Sequence, residues 1–205
     1  MEPISITRWP CLVITSQRTG STALSTMLAK YYNVDCFIEP AEQNHKLEQF
    51  EAIHKNFDHK YLVKFMTDRI GNYRIYRNLI NEEQPYKIGL YRKNTLAQVV
   101  SMYIASQTGV WYGNQVPGIE EPEEKLMHIP IKTKAIDRHI KIITKNNILL
   151  RAYKVHYDRI LSYESLPLGR SYRQSMKPHN HDEVVAAITE RFEVLDRPTE
   201  FNLGQ

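Results

Sequence analysis

The residues best suited to bind an anion lie at positions 12–22, where an apolar segment is followed by Ser-Gln-Arg-Thr-Gly-Ser-Thr. The pattern predicts a strand, a tight polar turn and the start of a helix. Free backbone N–H groups at a helix N-terminus favour negative charge. Gly20 would let the backbone approach a ligand closely, and Arg18 would add a charged fork. Ser21 and Thr22 would add hydroxyl donors, so the stretch predicts a site for a phosphate-like anion.

This turn differs from the common nucleotide-binding loops. A Walker A loop needs Gly-x-x-x-x-Gly-Lys followed by Ser or Thr, and here both the lysine and the first glycine are missing. The dinucleotide fingerprint needs three glycines, and only Gly20 is present. No carboxylate that would hold a metal ion is obvious after the later strands. A plain helix N-terminus with a surface arginine remains the alternative interpretation of the turn by itself.

A second candidate anion site lies where another predicted strand ends. In residues 88–101, Arg92 ends the strand and Ser101 lies nine residues further on, off the apolar stripe of the following helix. An arginine at a strand end and a serine on a helix could hold one further phosphate. Exposed arginines and serines are common, so this second pattern is weak when taken alone.

Together the two stretches resemble the sulfotransferases that use 3′-phosphoadenosine-5′-phosphosulfate (PAPS). That family binds the 5′-phosphosulfate of the donor with a strand–loop–helix like residues 16–22. It binds the 3′-phosphate with an arginine and a serine spaced as Arg92 and Ser101 are. The resemblance implies PAPS as the sulfuryl donor, 3′-phosphoadenosine-5′-phosphate (PAP) as the product and no metal ion. It also implies an in-line transfer of the sulfuryl group to the hydroxyl of a small acceptor.

The chain is similar in particular to the branch of bacterial trehalose 2-sulfotransferases. Four further segments match that branch, namely Glu39-Pro-Ala-Glu42, Lys64-Phe-Met66, Gln107-Thr-Gly-Val-Trp111 and the pair Arg173-Gln174. The resemblance covers residues 12–177, and the intervening segments are shorter here than in that branch. The expected acceptor is therefore a carbohydrate or another small hydroxyl compound, rather than trehalose by name.

The resemblance also assigns roles in the reaction. It places Arg18 against the transferring group and makes Glu42 the general base that takes the acceptor's proton, with Glu39 as the reserve candidate. Histidine is the base in other branches, and His45 follows Glu42 closely, although its residue type fits a solvent-facing helix better. An acidic pair at a helix start could instead only compensate the helix dipole.

Ligand contacts follow from the same matches. The acceptor is expected to contact Lys64 and Trp111, although a surface lysine and an aromatic loop anchor are the ordinary alternatives. His179 and His181 could bind zinc, but no third ligand is spaced for it, so no metal site is expected. The residues expected to bind the donor are Ser16, Gln17, Arg18, Thr19, Gly20, Ser21, Thr22, Arg92, Ser101, Arg173 and Gln174.

An α/β scaffold is needed to position these side chains. Short apolar segments alternate with helical periodicity, which predicts one α/β domain over residues 1–205, with a mainly parallel central sheet flanked by helices. The predicted strands cover residues 11–15, 60–66, 86–91 and 148–155. The predicted helices cover residues 21–32, 70–79, a segment capped by Asn94, 131–145 and 182–193. Residues 107–130 and 166–181 are predicted loops, and the first is long enough to be a functional lid.

The composition excludes several other classes of protein. The 27 basic and 23 acidic residues are interleaved, without the concentrated basic stripe of a nucleic-acid binder. Two cysteines are too few for a disulfide scaffold, which favours a reducing, cytoplasmic setting. No apolar segment approaches the roughly 20 residues of a membrane span. No membrane or nucleic-acid partner is therefore expected.

Two other functions stay open from the sequence. A small kinase or nucleotide hydrolase would use the same strand–loop–helix with a metal ion, although the missing Walker lysine counts against it. A nucleotide-binding module without catalysis would not need Glu42. The sequence identifies neither the acceptor nor the oligomeric state, and it leaves a homodimer open.

Overall fold

The computed structural model describes residues 4–42, 44–55, 59–109, 128–166 and 178–203, and of residues 44 and 45 only the backbone. Trp111, Arg173 and Gln174 lie outside the described residues, as do most of the two predicted loops. Within the described part of the chain, none of the helices combines the length and the apolar character that a membrane crossing requires.

Five parallel strands form one sheet in the spatial order β2-β3-β1-β4-β5. The predicted α/β class with a parallel central sheet is therefore confirmed. β1 and β4 are buried along their whole length, as expected where both faces of a parallel sheet are covered. The strands are β1 (Cys11–Thr15), β2 (Asp35–Ile38), β3 (Tyr61–Met66), β4 (Tyr86–Tyr91) and β5 (Arg159–Ser162).

The helices partly follow the predicted pattern. α1 (Ser21–Tyr32) has the predicted bounds. Asn94 caps α5 (Thr95–Thr108) as predicted, its side chain accepting a hydrogen bond of 2.7 Å from the backbone N–H of Ala97. The single helix predicted for residues 70–79 is two helices, α3 (Thr67–Ile70) and α4 (Arg74–Asn81). Short 3-10 helices cover Pro40–Glu42, Lys154–His156 and Tyr163–Ser165. The α-helices in the described residues are α1 (Ser21–Tyr32), α2 (Asn44–His54), α3 (Thr67–Ile70), α4 (Arg74–Asn81), α5 (Thr95–Thr108), α6 (Thr133–Ala152) and α7 (His181–Val194).

The strand predicted for residues 148–155 is wrong. Residues 148–152 continue α6, and the edge strand next to β4 is instead β5. The short apolar segment Ile148-Leu-Leu150 fits either period, because apolar segments of this length do not separate a helix from a strand. In the helix, Leu150 is fully buried while Ile148 is 59% exposed. β2 was not predicted, since it is short, and α2, which is largely polar, was anticipated only as a solvent-facing helix around His45, without bounds.

The chain forms two compact units. The first contains Met1–Tyr91, Asn146–Pro167 and Leu203–Gln205, and with them the whole sheet and α1 to α4. The second contains Arg92–Lys145 and Leu168–Asn202. It has its own apolar core, in which α5, α6 and α7 bury side chains such as Tyr103, Ile140 and Phe192.

Candidate functional site

The loop of residues 16–20, the β1–α1 loop, begins where the middle strand of the sheet ends. Thr15, the last residue of β1, is paired with Met66 of β3 on one side and with Leu90 of β4 on the other. The segments that follow β1 and β3 therefore leave the sheet at the same edge. In open α/β sheets ligands bind outside the carboxyl ends of the strands, so a ligand site is expected at this edge.

Buried hydroxyl groups hold the β1–α1 loop closed. The side chains of Thr15 and Thr19 are fully buried and hydrogen-bond to each other. The hydroxyl of Thr19 also donates to the carbonyl of Ser16, at 3.1 Å. Inside this closed turn Arg18 has a φ of +57° and Gly20 a φ of +72°. The left-handed region suits glycine but costs a residue with a Cβ about 1–2 kcal/mol, so the loop is strained at Arg18.

The start of α1 has the features of an anion site. Its N-cap is Gly20, which has no side chain to accept hydrogen bonds from the N–H groups of the first turn, and no acidic residue lies in that turn. The backbone N–H groups and the helix dipole there favour an anion. Ser21 is buried, and Arg18 and Thr22 are half-buried.

Two neighbouring residues of α3 connect this loop with a carboxylate. Gln17 donates through Nε2 to Asp68 Oδ2, at 3.3 Å. The next residue, Arg69, forms an ion pair with Glu42, with Nε 2.7 Å from Oε1. Arg69 Nε makes no hydrogen bond with any described residue, so the attraction to Glu42 is chiefly electrostatic. Asp68 and Arg69 are adjacent in α3. The β1–α1 loop and the carboxylate of Glu42 are therefore anchored to neighbouring residues of the same helix.

Glu39 and Glu42 follow β2 at the same edge of the sheet but have different partners. Glu39 has a φ of +49°, and its backbone N–H donates to the carbonyl of Lys64 at 2.8 Å. Its side chain is ion-paired with Lys64, whose own side chain is only 3% exposed. The alternative interpretation of Lys64 as a surface lysine is therefore wrong. A contact between Lys64 and the acceptor stays a prediction.

The protonation of Glu42 is set by its neighbours. Burial raises the pKa of Glu42, and the carboxylate of Glu39 raises it further through its charge and a hydrogen bond. The positive charges of Arg69 and Lys64 act in the opposite direction on this pKa. The side chain of Glu42 remains 31% exposed, so a ligand in solution can reach it. A reachable carboxylate with a raised pKa is a better proton acceptor than an ordinary glutamate.

Four side chains of this site were not singled out from the sequence. Asn146 donates through Nδ2 to Gln17 Oε1, and the hydroxyl of Ser16 donates to Asn147 Oδ1 at 2.9 Å. Asp68 and Arg69 look like ordinary polar residues of a short helix. The one signal for the asparagines is an adjacent pair of amides on an otherwise apolar helix face. The four are Asp68, Arg69, Asn146 and Asn147.

Other predicted residues are not brought to the site by the described structure. Arg92 and Ser101 are half-buried residues of the second unit, with Arg92 directly after β4 and Ser101 on α5. Their joint action with residues 16–22 on one ligand stays a prediction. The side chain of His45 lies outside the described residues.

The cysteines are not activated nucleophiles. Burial raises the pKa of Cys11 above its ordinary value and that of Cys36 to about 11. Thiols with raised pKa values carry little of the reactive thiolate at neutral pH. Both cysteines are free, and Cys11 is a small buried residue of β1.

Comparison with known proteins assigns no family to this chain. A scan of family models and a search of curated proteins both found nothing that matches it.

Proposed function

We propose that this protein is a sulfotransferase that moves a sulfuryl group from PAPS to a hydroxyl of a carbohydrate or a similar small acceptor. The observation that carries the proposal is the pair of adjacent contacts on α3. Asp68 holds Gln17 of the β1–α1 loop, and Arg69 holds Glu42. They bring a loop suited to an anionic donor close to a carboxylate suited to take a proton, and in-line transfer to a hydroxyl needs both.

In the proposed reaction Glu42 takes up the proton, and the β1–α1 loop stabilises the negative charge of the leaving group. Glu42 takes the proton of the acceptor hydroxyl while the hydroxyl oxygen forms a bond to sulfur. The bond between sulfur and the bridging oxygen of the 5′-phosphate breaks, and its electron pair leaves with PAP. Negative charge grows on that phosphate oxygen, where the first-turn N–H groups of α1 and the guanidinium of Arg18 stabilise it. A sulfuryl group carries less charge than a phosphoryl group, so cationic side chains suffice in place of a metal ion.

Glu42 fits the role of base better than Glu39. The carboxylate of Glu39 is already engaged by the buried ammonium of Lys64, which holds Glu39 in one position. Glu42 is more exposed than Glu39, with 31% against 14% of the side chain accessible. Burial and the charge of Glu39 raise the pKa of Glu42, which favours proton transfer from a weakly acidic hydroxyl.

One observation supports a second candidate, metal-dependent phosphoryl transfer. Asp68 lies two residues beyond β3, beside the β1–α1 loop, and its Oδ1 is buried without a hydrogen-bond partner among the described residues. Magnesium bound with nucleotide phosphates often needs only one or two protein carboxylates. The described residues contain no cluster of three or more histidines, cysteines or carboxylates around a candidate metal position. The metal-dependent alternative is therefore tested at Asp68, whose Oδ1 has no hydrogen-bond partner among the described residues.

Calorimetry with nucleotides separates the two candidates. PAP should bind at least about tenfold more tightly than AMP, because charge-assisted hydrogen bonds to the extra phosphate contribute about 1.5–3 kcal/mol each. Arg92→Ala should lower the affinity for PAP to that for AMP, whereas Lys93→Ala, which removes the adjacent exposed charge, should change it little. Equal affinities of the wild type for PAP and AMP would contradict the proposal.

Activity measured in the absence of divalent ions is a second test that separates the two candidate functions. Transfer of labelled sulfate from PAPS to a panel of sugars and phenols should proceed as fast in excess EDTA as in magnesium buffer. ATP binding that requires magnesium and disappears in Asp68→Asn would instead establish the metal-dependent candidate.

A further inference from the structure

Two adjacent asparagines on α6 are buried where apolar side chains would be expected. Asn146 and Asn147 are 1% and 3% exposed, while Ile143 and Leu150 on the same helix are fully buried. Asparagine is a poor residue for a helix interior, and a buried amide is costly unless it is hydrogen-bonded. The two amides contribute little apolar surface to the packing of the helix, so their burial calls for another explanation.

Both amide side chains form hydrogen bonds with residues of the β1–α1 loop. Asn147 Oδ1 accepts from the hydroxyl of Ser16 at 2.9 Å, and Asn146 Nδ2 donates to Gln17 Oε1. Gln17 in turn donates to Asp68 on α3 at 3.3 Å. Two consecutive residues of the loop are therefore each held by one of two consecutive residues of α6.

The loop needs such support because of its backbone conformation. Arg18, the next residue, lies in the left-handed region with a φ of +57°. A residue with a Cβ persists in that region only where its surroundings hold it there. Fixing Ser16 and Gln17 fixes the chain that enters Arg18, and Gly20 then leads directly into α1.

We propose that Asn146 and Asn147 are positioning residues that hold the β1–α1 loop in its anion-binding conformation. They act through Ser16 and Gln17 rather than by touching the transferred group. The identity of the anion as PAP rests on the proposed function, whereas the ordering of the loop does not.

Amide hydrogen exchange of the loop tests this proposal without any ligand. In Asn147→Ala and in Asn146→Ala, the amides of residues 16–20 should exchange about fivefold faster or more, because each variant removes one buried hydrogen bond. Exchange in β4 should stay unchanged, which separates a local loosening from a general loss of stability. Ile148→Ala is the matched control, since its side chain is 59% exposed on the same helix. Loop amides that exchange as slowly as in the wild type in both asparagine variants would overturn the proposal.

The same contact can be removed from the loop side if an asparagine variant does not fold. Ser16→Ala deletes one hydroxyl and leaves α6 untouched. It should accelerate exchange of the loop as much as Asn147→Ala, and the double variant should be no faster than either single one. Additive effects would show that Ser16 and Asn147 act independently and would overturn the proposal.

Calorimetry with PAP distinguishes a failure of this proposal from a failure of the proposed function. Asn147→Ala should bind PAP at least about tenfold more weakly than the wild type, while Ile148→Ala should match the wild type. A loosened loop with unchanged affinity for PAP would overturn the positioning role. If the wild type itself does not bind PAP, the sulfotransferase proposal fails and the exchange experiment still decides the role of the asparagines.

Discussion

Glu39 and Glu42 differ in the residues that face them, although both lie in one short turn after β2. Lys64 of β3 pairs with Glu39, and Arg69 of α3 pairs with Glu42. A buried ion pair that loses one partner leaves an uncompensated charge, which is strongly destabilising. The two carboxylates should therefore respond to the same substitution in different ways.

Glu42→Gln should reduce kcat by about 10²–10⁴-fold, since it keeps the shape of the side chain and removes its basicity. Affinity for PAP and the urea midpoint should change little. Glu39→Gln is the matched control and should instead lower stability by up to about 3 kcal/mol, because Lys64 loses its partner. The measurements are kcat with labelled PAPS and urea unfolding. A loss of kcat in Glu39→Gln, with Glu42→Gln near the wild type, would show that the base has been assigned to the wrong carboxylate.

Arg69→Gln should move the acidic limb of the rate profile to higher pH. The positive charge of Arg69 lowers the pKa of Glu42 against burial and Glu39, so its removal lets that pKa rise further. The base works only when ionised, and a higher pKa means that more alkaline solution is needed to ionise it. Among the described residues, Glu39 and Lys64 also act on this pKa, and the hydroxyl of Tyr76 accepts from the backbone N–H of Ala41 next to Glu42.

The control for Arg69→Gln is Arg69→Lys, which keeps the charge and should keep the limb close to its wild-type position. Carbon NMR of the Glu42 carboxyl group gives the same comparison without a substrate. The raised pKa of Glu42 also makes the stability of the protein depend on pH. Because the pKa of Glu42 is raised in the folded protein, its contribution to stability is present at low pH and is lost as the pH rises through the folded-state pKa. An acidic limb that stays in place in Arg69→Gln would contradict the role of Arg69.

Short elements carry much of the site. α3 has only four residues, yet three of them make contacts outside it. Thr67 donates to the carbonyl of Asn146 at 3.2 Å, Asp68 accepts from Gln17, and Arg69 pairs with Glu42. A helix of this length has no stability of its own, so its position depends on these tertiary contacts.

α5 starts instead with a local interaction that can be tested by itself. Asn94 accepts from the backbone N–H of Ala97 and so satisfies one of the free donors at the start of the helix. Asn94→Ala should lower the free energy of unfolding by about 1 kcal/mol, whereas Asn94→Asp should retain most of it because aspartate is an equally good cap. Urea unfolding measures both. Equal midpoints for Asn94→Ala and the wild type would show that the cap contributes nothing.

At the scale of the whole molecule, each compact unit has its own means of cohesion. The first unit contains the buried sheet, and the second relies on the packing of its helices and on a two-pronged ion pair. In that pair Arg191 of α7 donates through Nε and Nη2 to the two carboxylate oxygens of Asp137 on α6, at 2.7 and 2.9 Å. Both side chains are 23% exposed, which limits the strength of the pair through solvent screening.

Acid should weaken the second unit through this ion pair. The hydrogen bonds from Arg191 lower the pKa of Asp137, so the stability that Asp137 contributes is present at neutral pH and is lost as the pH falls through its lowered pKa. Asp137→Asn should therefore be less stable than the wild type at neutral pH, and the two should converge in strong acid. Thermal unfolding between neutral pH and about pH 2 follows this difference. A stability difference that does not depend on pH would contradict the assignment.

The sequence alone determined the central strands of the sheet and the helix that follows β1. β1, β4 and α1 have the bounds that their apolar patterns predict, because a long buried segment or a regular helical face is encoded in neighbouring residues. The cap at Asn94 was also predicted from a short motif and is confirmed, while the roles of Ser16 to Gly20, Glu39 and Glu42, likewise predicted from short motifs, stay predictions. All of these depend on residues that are close together in the chain.

Only the tertiary structure decided which side chains support that site. Asn147 meets Ser16 across a separation of 131 residues, and Gln17 meets Asp68 across 51 residues. Such contacts form when the strands line up in the sheet, and no local period records them. The same holds for the error at residues 148–155: the buried amides of Asn146 and Asn147 interrupt the apolar stripe that would have extended α6. The hydrogen-bond partners of these asparagines are Ser16 and Gln17, which lie far away in the chain and meet them only in the folded structure.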